Sequence, residues 1–355
     1  MQSIIAQNYS IHFNDKGFKE LNHFLTENKY SSVFIITDTN SNEHCLPTFM
    51  GNLNTDLAIE IIEFENGETN KNIETCIQIW ETLTELGADR KSIVLNLGGG
   101  VVTDLGGFVA SAFKRGIDFI HIPTTLLAMV DAAIGGKNGI DLGNLKNQIG
   151  VITFPKMVLI NSDYLSTLPK NEMRSGLAEI LKHGLIFDKN YWQQFQNLSQ
   201  LDTSDFDAII HKSIEIKNEI VTRDPKENGI RKALNFGHTL GHAIESYFLE
   251  NENKISLLHG EAIAVGMILE SFISWKKNLI SATDYLEIKS TIKNLFGEIV
   301  CDKNDLPPIL NLLIHDKKNE YGNIQFVLLN GIGNTIINQI VENEIIEKAF
   351  EDYKS

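Results

Sequence analysis

Short apolar runs recur through the first 150 residues and alternate with stretches of helical spacing. Residues 33–37 (VFIIT), 57–64 (LAIEIIEF), 92–97 (SIVLNL) and 118–122 (DFIHI) read as strands, because β-branched and aromatic side chains suit a pleated, buried surface. Residues 157–161 are a further strand candidate. Residues 70–86 place Ile73, Ile77, Trp80, Leu83 and Leu86 three or four apart, the spacing of a helix with one buried face. Strand–helix alternation of this kind predicts a parallel sheet covered by helices, an open nucleotide-binding architecture.

From about residue 170 the pattern changes. Segments 174–187, 206–222, 233–248, 261–275 and 284–295 all carry helical spacing; a β-rich run at 323–329 and a last helix at 341–353 follow. The prediction is an α/β nucleotide-binding domain over residues 1–168 and a mainly α-helical domain over 169–355. A chain of 355 residues has room for both, since single cores stop growing near about 250–300 residues.

Candidate chemistry starts at the glycines. Gly98, Gly99 and Gly100 follow one strand and precede a helical stretch, where bare backbone and a helix N-terminus favour a phosphate. The turn departs from G-x-G-x-x-G at Thr103, and no lysine follows to make a triphosphate loop. Asp38, Thr39 and Asn40 follow another strand, and Pro123, Thr124 and Thr125 a third. Each alone is an ordinary turn or cap; together at the carboxyl ends of strands they favour a dinucleotide.

Charge sharpens the reading. A formal net charge of −15 excludes nonspecific nucleic-acid or anionic-membrane binding. Clustered cations are therefore informative. The three cysteines, Cys45, Cys76 and Cys301, form no C-x-x-C pair, so neither a zinc thiolate site nor a disulfide framework is expected. MQSIIAQNYS lacks a basic stretch before an apolar core and no run of 18 apolar residues occurs, so a cytoplasmic protein is expected.

A metal constellation is present without cysteine. NFGHTLGHA puts His238 and His242 four apart on one helix face, LLHGEA adds His259 and Glu261, and SGLAEILKHG adds Glu179, Lys182 and His183. Imidazoles plus a carboxylate, with one position open, are what a catalytic zinc needs. Gly237, Gly241 and Gly260 leave room for a ligand beside the histidines. Spacing alone leaves open which histidines bind.

Residues 128–150 carry Asp131, Lys137, Asn138, Asp141, Asn144, Lys146 and Asn147 among five glycines, and read as a long polar loop suited to a phosphate or polyol. Lys217, Arg231 and Asn235 precede the His pair, and HDKKN adds Lys317 and Lys318. Cations around a metal in an acidic chain point to an anionic substrate.

Read together, GGGVVTDLGGF, PTTLLAMVDAAIGGKNGID, SGLAEILKHG and NFGHTLGHA…LLHGEA resemble the 3-dehydroquinate synthase family across residues 30–330. The resemblance implies a homodimer with an active site in the cleft between an NAD-binding α/β domain and a helical metal domain. It implies Glu179, His238 and His259 as ligands of zinc (or cobalt), with His242 handling substrate or protons. Asp131, Lys137, Lys146, Asn147, Lys182, Lys217, Arg231, Asn235 and Lys317 match substrate-site positions, and Arg115 matches an arginine that reaches the neighbouring subunit's site. For NAD the matching residues are Asp38, Thr39, Asn40, the segment from Glu68 to Lys71, Gly99, Gly100, Val101, Asp104, Thr124, Thr125, Lys137, Lys146, and Tyr164 through Thr167. Thr103 and Asn138 replace a frequent glycine and threonine, and FLENENKIS lengthens the gap between His242 and His259.

The implied reaction converts 3-deoxy-arabino-heptulosonate 7-phosphate to 3-dehydroquinate and phosphate, with hydride lent to NAD and returned. Competing expectations are a metal- and NAD-dependent polyol or sugar-phosphate dehydrogenase, a related cyclase whose substrate lacks a carboxylate, and a non-catalytic NAD-binding protein. The Lys217–Arg231–Asn235 set is more cationic than the first two need, and a full complement of metal and proton-handling groups argues against the third.

Overall fold

The structure is a computed structural model and describes residues 1–143, 145–196, 206–299, 301, 304–313 and 324–354. The chain divides into two units, Met1–Pro169 with Phe206–Asn218, and Lys170–Asp205 with Glu219–Ser355.

The first unit is α/β. In chain order it contains β1 (Ile4–Ile5), β2 (Ser10–Phe13), α1 (Asn14–Glu27), β3 (Val33–Asp38), α2 (Thr39–His44), α3 (Leu46–Asn52), β4 (Ile59–Phe64), α4 (Ile73–Glu85), β5 (Ile93–Gly98), α5 (Gly100–Ala112), β6 (Asp118–Pro123), β7 (Lys137–Leu142), β8 (Leu145–Ile152) and β9 (Met157–Ile160). Seven strands form one sheet in the order β1-β2-β9-β6-β5-β3-β4, with parallel pairing except between β1 and β2. β3 and β5 are buried at every position, as parallel strands covered on both faces must be. Apolar side chains of β3, β4 and β5 pack with Cys76, Ile79 and Leu83 of α4 and with Val102, Leu105 and Val109 of α5. From β3 the chain goes outward to β4 and then returns to the other side as β5. That reversal opens a crevice at the carboxyl ends of β3 and β5.

The five sheet strands expected from the sequence are all present, whereas β1 and β2 were not anticipated. Residues 128–150 differ from expectation. Instead of a structureless loop they form a π-helical turn, Ala128–Ala132, and the antiparallel hairpin β7–β8. The glycines explain the hairpin: Gly139 and Gly150 face each other with no room for a Cβ, and Gly143 bends the chain with φ +57°. Glycine-diluted strands lose the alternation by which strands are recognised.

The second unit contains α6 (Lys170–Phe187), α7 (Lys189–Gln193), the end of α8 (Phe206–Arg223), α9 (His238–Glu250), α10 (His259–Lys276), α11 (Ala282–Phe296), α12 (Leu306–Leu313), a hairpin of β10 (Phe326–Leu329) and β11 (Thr335–Gln339), and α13 (Asn343–Tyr353). α10 is buried along almost its whole length and packs against α6, α9, α11, α13 and β10. A helix apolar on all sides is a core helix, and this one organises the unit. The helix expected over 233–248 is broken: Ile230–Asn235 is a 3-10 turn, and Gly237, at φ +78°, starts α9 afresh at His238. No described helix is long and apolar enough to cross a membrane.

The glycines near the histidines make room for neighbouring backbone and side chains rather than for a ligand. A Cβ on Gly260 would lie 2.1 Å from the Ser175 carbonyl oxygen, and one on Gly241 2.8 Å from Ile263 Cδ1. A Cβ on Gly266 would lie 1.9 Å from the Gly237 carbonyl oxygen. Gly266→Ala therefore has only backbone to push against. It should destabilise the protein by about 3 kcal/mol, at the upper end of overpacking costs, read as a lowered midpoint in urea unfolding.

Candidate active site

In the first unit the carboxyl ends of the adjacent strands β3, β5 and β6 are tied together. Asp38 caps α2 by accepting the Ser41 N–H at 2.7 Å. The Ser41 and Thr124 hydroxyls lie 3.4 Å apart, and the Thr124 N–H donates to the Gly98 carbonyl at 3.0 Å. Gly99 begins α5 without a capping side chain, so the first-turn N–H groups remain available to an anion. A Cβ on Gly99 would sit 3.0 Å from Thr125. Thr39 donates to Asn66 Oδ1 at 3.0 Å, and Asn40 is exposed beside it. Tyr164 is buried in the turn Ser162–Thr167, whose last hydroxyl donates to the Tyr164 carbonyl at 3.2 Å.

A second cluster in this unit centres on Lys71. Its buried ammonium lies 2.6 Å from Asp104 Oδ2, 2.7 Å from Asn147 Oδ1 and 4.0 Å from Glu68 Oε1. Burial pushes the Lys71 pKa down, but Asp104 and Glu68 outweigh it and raise it. Burial likewise raises the Asp104 carboxyl, with Lys71 opposing. Lys146 joins through Glu68 at 3.6 Å. Asn147, at φ +52°, donates its N–H to Asp141 at 2.6 Å. Asp131 accepts Lys217 Nζ through its carbonyl at 2.5 Å and its carboxylate at 2.6 Å. Lys137 is exposed at the start of β7.

The second unit holds the histidines. Glu179, fully buried on α6, presents Oε1 at 3.5 Å from His238 Nε2 and 3.7 Å from His259 Nε2. Its other oxygen pairs with Lys182, one turn further along α6. His238 Nδ1 lies 3.0 Å from the Phe236 carbonyl, and His259 Nδ1 lies 3.2 Å from Glu245 Oε2. An Nδ1–H donated to each acceptor leaves both Nε2 lone pairs facing Glu179. His242 completes the group, its ring 5.1 Å from that of His238 and 5.6 Å from that of His259. Nitrogens of the three histidines lie within 4.8 Å of one another. Burial lowers the His259 pKa, but Glu245 and Glu179 outweigh it and raise it to about 9. Two oriented imidazoles and a buried carboxylate fit a divalent metal with a position to spare.

Beside this cluster the loop 224–235 is held from within. Asp224 accepts the N–H groups of Asn228, Gly229 and Arg231 at 3.0, 2.7 and 3.1 Å. Arg231 is buried and donates to the Pro225 carbonyl at 2.8 Å. Asn235 donates to Glu227 Oε1 at 2.9 Å.

Comparison with known proteins decides the family. The description "3-dehydroquinate synthase N-terminal" matches residues 61–175, and "3-dehydroquinate synthase C-terminal" matches residues 176–319. The chain belongs to the 3-dehydroquinate synthase family. A 3-dehydroquinate synthase of Parabacteroides distasonis is 41% identical over 339 residues, covering 94% of this chain and 95% of that protein. Among solved structures, a 2-deoxy-scyllo-inosose synthase complexed with carbaglucose-6-phosphate, NAD+ and Co2+ superposes with a TM-score of 0.86 at 26% identity, over 99% of each chain. The 2-epi-5-epi-valiolone synthase of Streptomyces hygroscopicus, with NAD+ and Zn2+ bound, shares the fold at a TM-score of 0.83 and 24% identity, over 100% of this chain and 99% of that one.

Most residues singled out in the sequence fall into these clusters. Arg115 does not: it is exposed on the turn Phe113–Arg115 at φ +73° and makes no ion pair among the described residues. Lys317, Lys318 and Asn144 lie outside the described residues. Four carboxylates went unnoticed in the sequence: Asp224, Glu227, Glu245 and Glu270. Two carried a signal: Glu245 stands seven residues after His238 on the same helix face, and Glu270 is the lone charged residue of the apolar run 262–275.

Asp224 supplies a test of the loop. Burial raises its pKa, but the N–H groups of Gly229, Arg231 and Asn228 outweigh it and lower it. A depressed native pKa gives stability that is complete above the unfolded value, about 4, and is lost as pH falls through the native one. The stability gap between wild type and Asp224→Ala should therefore be full near neutrality and shrink on acidification, in denaturant titrations across pH.

Proposed function

We propose that this chain is a 3-dehydroquinate synthase, converting 3-deoxy-arabino-heptulosonate 7-phosphate to 3-dehydroquinate and phosphate with NAD and zinc as resident groups. The observation that carries the reading is the convergence of His238 and His259 on one oxygen of Glu179, in a chain matched by both family descriptions over residues 61–319.

Glu179, His238 and His259 hold the metal in this reading. The ends of β3, β5 and β6 hold the dinucleotide, with Asp38 to Asn40, Gly99 to Val101, Thr124 and Thr125 as its nearest groups. Glu68, Lys71, Asp104, Lys146, Tyr164 and Thr167 complete that site. The metal held there would supply acidification of a substrate hydroxyl, and the dinucleotide would supply a reversible hydride acceptor, so that the reaction has no net redox change. His242 takes the hydroxyl proton. Lys137, Lys182, Lys217, Arg231, Asn235 and Lys317 bind the carboxylate and phosphate, against the field of an acidic chain. Asp131 holds Lys217 in place. Asn147 orients the chain of hydroxyls.

Elimination breaks the carbon–oxygen bond to phosphate and passes the proton of the adjacent carbon to a phosphate oxygen; cations around the leaving group take up its charge, and the lent hydride then returns to the ketone. Ring opening and an intramolecular aldol closure follow, in which holding both ends of one molecule replaces a bimolecular encounter. The same reading makes the protein a cytoplasmic carbon–oxygen lyase that works as a homodimer, with Arg115 reaching the partner's site.

The direct test follows phosphate release from the heptulosonate phosphate with catalytic NAD while recording NADH absorbance. Phosphate without accumulated NADH is expected; stoichiometric NADH would establish a dehydrogenase instead. His259→Ala should lose both bound zinc and turnover. His242→Ala should keep zinc and lose turnover by about 10²–10⁴-fold, the scale of a proton-transfer group. Zinc retained by the His259 variant, measured by atomic absorption, would overturn the ligand set.

A further inference from the structure

The two histidine-bearing helices hold each other's first residue. α9 begins at His238 behind Gly237, which has no side chain to cap the helix. The cap comes from α10. Glu270, fully buried there, accepts the Gly237 N–H at 2.6 Å through Oε2 and the Leu240 N–H at 3.2 Å through Oε1. Those are the two N–H groups that a capping box satisfies with two separate side chains. Here one carboxylate from the neighbouring helix serves both, on either side of His238. In the other direction, α10 begins at His259, and Glu245 of α9 lies 3.2 Å from its Nδ1. Glu245 is buried as well.

We propose that Glu245 and Glu270 are positioning residues that form a reciprocal clamp, each reaching from one helix to fix the histidine that starts the other, and that this clamp sets the affinity of the site for its divalent metal. The inference rests on the metal reading above. Glu245 works through His259: accepting its Nδ1–H selects the tautomer whose Nε2 carries the lone pair. Glu270 works through the backbone that carries His238. With N–H groups three residues apart held by one carboxylate, the first turn of α9 cannot rotate, and Nε2 keeps its aim at Glu179. The close approach of Gly266 to the Gly237 carbonyl holds the same junction from the other side. The imidazole pair is thereby oriented by protein groups alone.

The experiment titrates the full-length, metal-stripped protein with Co2+, reading the visible absorption of the bound ion and its dissociation constant by chelator competition. Glu245→Gln and Glu270→Gln keep size and shape while removing charge. Each is expected to weaken Co2+ binding about 10- to 100-fold, the usual cost of losing a partner behind a metal ligand, and to shift the cobalt spectrum. Wild-type affinity and spectrum in both variants would overturn the clamp, even if their thermal stability fell. Loss in one variant only would overturn its reciprocity. Failure of the wild type to bind Co2+ would overturn the metal reading itself, a separate result. Should Glu270→Gln not fold, Glu245→Gln decides, because Glu245 lies within α9 and caps no helix.

Discussion

The bare contact between α9 and α10 is the constraint on which the arrangement of the histidines depends. The Gly237 carbonyl faces Gly266 with no side chain between them, and Gly241 lies against Ile263. Helices this close cannot slide, because any larger side chain would have to displace backbone. Both helices begin with a histidine at this end, so the separation of the imidazoles follows from the packing. α6 joins α10 through Gly260, which lies against the Ser175 backbone, and its buried Glu179 reaches the same point. Three distant segments of chain are thereby brought to one place by glycines.

Charge makes a second demand on the protein. A chain with a net charge of −15 must hold an anionic substrate and an anionic cofactor. Three buried lysines are paired with carboxylates: Lys71 with Asp104, Lys182 with Glu179, Lys217 with Asp131. A buried ion pair contributes little net stability, because desolvation cancels most of the attraction. Its value here is positional. Asp104 and Glu68 thus keep Lys71 protonated and in place where burial alone would lower its pKa. The same balance operates at His259, where Glu245 and Glu179 outweigh burial.

The sheet was legible because its strands are dense in Val, Ile and Phe, and the order of elements followed from strand–helix alternation. Residues at the ends of β3, β5 and β6 were legible for the same reason, since a strand's carboxyl end can be found once the strand is found. The β7–β8 hairpin was not, because glycine removes the side chains whose alternation marks a strand. The break at Gly237 was hidden by apolar spacing that continues through it: Ala233, Leu234 and Phe236 look like the preceding turn of the same helix but form a 3-10 turn. Glycines beside the histidines were visible and misread, because room for backbone and room for a ligand leave the same trace in a sequence.

The buried carboxylates were hardest to foresee, and the reason is general. A residue such as His238 stands out because histidines are few and their spacing repeats. Glu270 is one glutamate among 46 acidic residues, and although the apolar run 262–275 around it marks it as buried, nothing there tells which groups it holds. Its burial is a property of α10 as a whole, and its partners are N–H groups that any residue possesses. Sequence spacing can therefore reveal groups that touch a metal or substrate, whereas the groups that hold them in place emerge only when helices are packed. At the carboxyl ends of β3, β5 and β6 this matters less, since short caps and backbone hydrogen bonds tie the strand ends together. At the histidines, whose rings must be turned to a particular nitrogen, the unrecognised carboxylates decide whether the recognised residues can act.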